Sequence, residues 1–108
     1  MQFDKGLVAG SASLLVLNLL KEKECYGYEL IKTLRERSNE IFDFKEGTLY
    51  PILHRLEHDL MIESFSKTVN GRTRKYYRIT QKGLLQLQEE KQQWENFSAA
   101  VNQVLAYE

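Results

Sequence analysis

Two clusters of side chains in this sequence are equipped for chemistry. From Ser64 to Leu85 the charged residues are Lys67, Arg72, Arg74, Lys75, Arg78 and Lys82, with no Asp or Glu among them. A local charge of one sign suits a polyanion, because bound cations displace the counterions condensed on phosphates. The second cluster runs from Lys45 to Glu57. Thr48 and Tyr50 carry hydroxyls that can donate to phosphate oxygens, while His54 and Arg55 carry donors for base edges, arginine most usefully for guanine. Lys45 precedes them and Pro51 keeps the face small. Asn70, Arg72, Arg74 and Lys75 complete the set of candidate DNA-binding residues. Each has a plainer alternative: a solvated hairpin for the basic run, core packing for Tyr50, and an i, i+4 ion pair with Asp59 for Arg55.

Other chemistries find little support. No Ser/His/Asp set, glycine-rich phosphate loop or paired carboxylates are present, so no enzyme and no catalytic residue is expected. His54 and His58 have a spacing that can hold a metal. Without a nearby Cys or third His, neither a metal nor a cofactor is expected. Cys25 is the single cysteine. It excludes an intramolecular disulfide, suits a reducing compartment and reads as an inert thiol.

Composition bounds the answer. The 108 residues suit one small domain. Fifteen basic and 15 acidic residues cancel, so the electrostatic case for nucleic acid is local. The longest apolar run, Leu14–Leu20, is interrupted by Asn18 and too short for a bilayer, and no signal-peptide pattern precedes it. A cytoplasmic chain without a membrane partner is expected.

The elements that must position these residues follow from periodicity. Leu49, Ile52, Leu53, Leu56 and Leu60 form one apolar stripe at helical spacing, with Gly47, Pro51, His54, Arg55 and His58 opposite. Thr48 is the expected cap, which places Pro51 third in the helix, where no N–H bond is lost. Upstream, residues 1–10 carry no strong signal. A helix from Ser11 or Ser13 to Lys21 is apolar nearly all round. After a charged link to Cys25, Gly27 is free to turn, and a second helix spans Tyr28–Ser38 with Leu30, Ile31 and Leu34 inward. Ile41–Phe44 reads as a short strand.

Downstream, Ile62–Val69 and Arg72–Ile79 read as strands joined by Asn70-Gly71, the dipeptide that a type I′ turn favours. Thr80 caps a final helix to about Leu105. Leu87, Trp94 and Val101 stand seven apart, with Phe97 and Val104 at the second heptad position. Such a terminal helix wants a partner, and the same helix of a second chain would serve. Trp94 is then either a core or interface residue, or a ring lining a cavity for a flat ligand between subunits. Leu14, Asn18 and Phe97 join it as candidate effector residues. The order of elements predicts a mainly helical α+β fold. It is a winged helix-turn-helix over 1–80, with a C-terminal dimerisation helix over 81–108.

Three blocks carry a family resemblance: Tyr26-Gly27-Tyr28-Glu29-Leu30, Gly47 to Glu57, and Gly71 to Gly83. In order and spacing they resemble the signature of the PadR family of bacterial transcriptional regulators, over about residues 12–83. The single terminal helix is similar to the small-subfamily members. The resemblance implies a homodimeric repressor on a two-fold operator in double-stranded DNA, released by a small aromatic effector. It also implies a pore at the dimer centre, lined by a tryptophan at the place of Trp94 and faced by the stretch bearing Asn18. Met61 stands where the family commonly has glycine, and Lys91 and Ser98 depart from an aromatic or acidic pore lining. Two other readings stay open: a winged helix used for protein interaction, and a ligand-binding dimer without specific DNA binding.

Overall fold

The computed structural model describes residues 5–107. In chain order the elements are α1 (Lys5–Glu22), β1 (Cys25–Tyr26), α2 (Gly27–Arg37), α3 (Glu46–His58), β2 (Ile62–Val69), β3 (Arg72–Ile79) and α4 (Gln81–Ala106). The mainly helical α+β expectation holds. The strands form one antiparallel sheet in the order β1-β3-β2.

α1 is the hub. Ala12, Val16, Leu17, Leu19 and Leu20 are buried, and the helix packs against α2, α3, α4 and β3. It begins well before the expected Ser11 or Ser13. Both serines lie inside it: the Ser11 hydroxyl donates to the Leu7 carbonyl one turn back, and Ser13 donates to Glu90 of α4. Gly6 and Gly10 lower helix propensity and are exposed; the turn that carries them extends a helix whose docked part starts at Ala12. Of the stretch read as carrying no signal, residues 1–4 lie outside the described residues. α2 buries Leu30, Ile31 and Leu34 as the periodicity predicts, and Gly27 at its start as well.

The short strand expected at Ile41–Phe44 does not form. Asn39 and Glu40 turn the chain through positive φ (52° and 67°), and the Phe42 amide donates to the Ser38 hydroxyl. Phe44 then drops into the core, edge-to-face with Phe42 at 6.1 Å. The third strand comes instead from the segment expected to be a charged link. Cys25 pairs with Tyr77 and Tyr26 with Tyr76. Gly27 does not turn; it opens α2, and its bare Cα admits the Tyr50 ring, whose hydroxyl would stand 2.7 Å from an added Cβ.

The hairpin matches the expectation residue for residue. Asn70 and Gly71 take φ of 52° and 77°, as a two-residue type I′ turn requires, and Val69 pairs with Arg72. Thr80 caps α4, accepting from the Gly83 amide at 3.1 Å while its own hydroxyl donates to the Leu60 carbonyl at 2.6 Å. Gly83 is required there: a Cβ would stand 2.1 Å from the Met61 carbonyl oxygen. The start of α4 is thus locked to the start of β2. Beyond Leu87, its last buried residue, the helix runs on into solvent and gives the molecule a 60 Å long axis.

Candidate nucleic-acid interface

α3 starts earlier than its cap signal suggests. Lys45 is the N-cap, with an extended backbone and no side-chain cap, and its carbonyl accepts from the Thr48 and Leu49 amides. Thr48 is therefore in the first turn and is not the cap. Pro51 falls in the sixth helical position, where it withholds from the Gly47 carbonyl the bond that residue 51 would otherwise give. Leu49, Leu53 and Leu56 are buried and Ile52 is partly so. Leu60, read as the end of that stripe, is 66% exposed. It lies just past the helix at φ 63°. Met61 donates to the Leu56 carbonyl and Leu60 to the Glu57 carbonyl, the bond pair of a Schellman termination. The position that favours glycine is thus Leu60, not Met61.

With its back buried, α3 turns Gly47, Thr48, Tyr50, Pro51, His54, Arg55 and His58 to solvent. Among the described residues Arg55 makes no ion pair: Asp59 lies 3.3 Å from His58 Nδ1 instead. Tyr50 is intermediate between its two readings. Its hydroxyl end rests on Gly27, yet the residue stays 36% exposed. Lys45 Nζ is 3.2 Å from Asp43.

The basic hairpin is less uniform than its sequence. Strand alternation sends Arg72, Arg74 and Arg78 to one face of β3, and Lys75 with Tyr77 to the other. Acids from elsewhere fold back onto three of the cations. Lys67 meets Glu24 at 2.6 Å, Arg78 meets Glu63 at 2.6 Å, and Lys75 lies 3.9 Å from Glu57. The Glu24 carboxylate raises the Lys67 pKa above the usual lysine range. Arg74 lies over the Tyr26 ring at 4.4 Å, half-buried in an aromatic group with Tyr76 and Phe65. Arg72, beside the exposed Asn70-Gly71 tip, makes no ion pair among the described residues and is exposed. The Arg78–Glu63 pair follows from the hairpin register, whereas Glu24 and Glu57 come from outside the hairpin and no local pattern announces them.

A groove of about 310 Å³ lies between α1 and α4. It is lined by Gly10, Leu14, Glu90, Gln93, Trp94 and Phe97. Three of the four candidate effector residues meet there. Asn18, one turn beyond Leu14, is half-buried and outside the lining. Glu90 was not foreseen; it accepts from Ser13 at 3.2 Å and from Gln86 at 3.3 Å. Cys25 is buried and, among the described residues, belongs to no cluster able to hold a metal; burial pushes its thiol up to about 11.

A three-stranded sheet whose β2-β3 hairpin stands beside an open-faced α3 defines the class, a winged-helix protein. The family described as "Transcriptional regulator PadR-like family" matches residues 16–89, more than half of the chain. A PadR-like transcriptional regulator of Bacillus cereus is similar in structure at TM-score 0.86 and 37% identity, over 96% of this chain and 100% of that one. A PadR family transcription regulator of Clostridium difficile gives TM-score 0.80 and 37% identity, over 89% and 99%. A transcriptional regulator of Mycobacterium tuberculosis is 34% identical over 80% of this chain and 78% of its own. The chain belongs to the PadR-like family of transcriptional regulators.

Proposed function

We propose that the chain is a homodimeric repressor that binds a two-fold operator in double-stranded DNA. The carrying observation is the open face of α3, with Thr48, His54 and Arg55 in solvent beside the exposed tip bearing Arg72. In this reading α3 enters the major groove, with Lys45, Thr48, Tyr50 and Pro51 at its leading end and His54 and Arg55 toward base edges. Asn70, Arg72 and Arg74 serve the backbone, while Lys75, on the other face of β3, is turned toward Glu57. Residues 1–80 form the DNA-binding unit, and 81–108 supply the pairing helix.

Pairing is supported by the second half of α4. Trp94, Phe97, Val101, Val104 and Leu105 are all exposed there, an apolar row that a second copy would cover. Two chains paired this way space their α3 helices for half-sites about 34–36 Å apart. A bound dimer would block a promoter, which is the proposed direction of regulation. The groove offers Leu14, Trp94 and Phe97 to the faces of a small aromatic effector and Glu90 and Gln93 to its polar groups, with Asn18 at its margin. The reading is that of a cytoplasmic, non-enzymatic regulator. Among the described residues, no helix is long and apolar enough to cross a membrane.

Retardation of a labelled fragment from the region upstream of its own gene, measured at two salt concentrations, tests this reading. Binding that weakens steeply with salt supports it; no retardation of any duplex would reject it.

A further inference from the structure

Glu57 closes the last turn of α3 and reaches both wing strands. Its Oε2 accepts from the Ser64 hydroxyl of β2 at 2.5 Å, and its Oε1 lies 3.9 Å from Lys75 Nζ of β3. Ser64 and Lys75 share the sheet face that carries the buried Tyr77. Lys75 Nζ also lies over the Tyr77 ring at 5.5 Å. Burial, and then the Glu57 charge, raise the Tyr77 hydroxyl above its usual range. Among the hairpin's cations Lys75 alone stands on this face, since Lys67, Arg72, Arg74 and Arg78 alternate to the other. One carboxylate thus joins helix and wing at two points and holds the single cation on its side of the sheet.

We propose that Glu57 is a positioning residue for DNA discrimination. Through Ser64 it fixes the wing in register with α3, and through Lys75 it withholds a cation from indiscriminate phosphate contact. This rests on the DNA-binding reading above. The pair is part-exposed, so its effect on stability is small. Its consequence is electrostatic and geometric. Each additional cation engaged with phosphate steepens the dependence of log K on log salt by about 0.9. A freed Lys75 therefore strengthens binding to any sequence, while a loosened wing gains nothing at the right one.

Fluorescence anisotropy with two duplexes decides the matter. One is selected by the wild-type chain from a random-sequence pool, and the other is its scrambled counterpart. Glu57→Gln retains an acceptor for Ser64 but loses the charge. It should bind both duplexes several-fold more tightly, with a salt slope steeper by about 0.9 per chain; Ser64→Ala, which cuts the tie to the wing, should instead narrow the ratio of the two affinities. Adding Lys75→Gln should return the slope to the wild-type value. Glu63→Gln changes net charge equally but frees Arg78 on the opposite face, and should move the slope less. An unchanged slope in Glu57→Gln, or an equal change in Glu63→Gln, would overturn the proposal while DNA binding stands. Wild-type chain that binds neither duplex in a salt-dependent way would overturn the DNA-binding reading and the proposal together.

Discussion

Helices α3 and α4 are both amphipathic, but they settle their apolar faces differently. α3 buries Leu49, Leu53 and Leu56 within its own chain and leaves a polar face outside. α4 buries only Gly83 and Leu87 near its start and leaves Trp94, Phe97, Val101, Val104 and Leu105 bare. A helix satisfied by its own fold is free to meet a charged, hydrated surface. A helix left apolar has a hydrophobic reason to find a second apolar face. In the proposed dimer the two helices divide the work: one presents, the other assembles.

The largest expected effect lies on α4. Phe97 is 62% exposed in the single chain. In a two-fold dimer its loss counts twice, so Phe97→Ala should weaken self-association by about 3–6 kcal/mol, taking a buried phenyl as about 1.5–3. Sedimentation should show monomers, and circular dichroism should show the helices intact. Next is Leu53→Ala on the buried side of α3, where the residue is 0% exposed. It should lower unfolding stability by about 3 kcal/mol in urea titrations, with any loss of association following unfolding. If the two substitutions behaved alike, the contrast between the helices would fail.

The wing refines the contrast. Arg72→Ala with Arg74→Ala should reduce the salt slope of DNA binding by about 1–2 per chain. Arg72 should supply most of this, because Arg74 is already stacked on Tyr26. The smallest effect concerns the end of α3. Leu60 holds φ 63°, a conformation that costs a non-glycine residue about 1 kcal/mol. Leu60→Gly should therefore stabilise by about that amount in thermal melts, with DNA affinity unaltered.

Local signals made much of this legible from sequence. Asn70-Gly71 fixed the hairpin because both residues tolerate positive φ, and Thr80 marked α4 because its hydroxyl does cap. Where the chain used no side-chain signal, the sequence misled. α3 begins at a lysine without a cap, so Thr48 drew the boundary too late. β1 is two residues long and exists only through its pairing with β3, a partner fifty residues on. The alternation of Ile41–Phe44 mimicked a strand, but the positive-φ turn at Asn39 and Glu40 and the Phe42 amide bond to Ser38 take the chain out of extended pairing. The candidate site was legible as residue types and not as charges. Lys67, Lys75 and Arg78 look free in sequence and are held in the fold by Glu24, Glu57 and Glu63. In the groove, helical spacing puts Glu90, Trp94 and Phe97 on one face of α4, while Leu14 meets them only through the crossing of α1 and α4.

The central claim is that α4 pairs two chains so that two α3 helices read one operator. Sedimentation of the chain with a duplex selected from a random pool tests this most directly. Two chains should bind per duplex, and footprinting of the same complex should show half-sites centred about 10–10.5 base pairs apart. Phe97→Ala should reduce this to weak single-chain binding. Tight, sequence-selective binding by one chain, unaffected by Phe97→Ala, would contradict it.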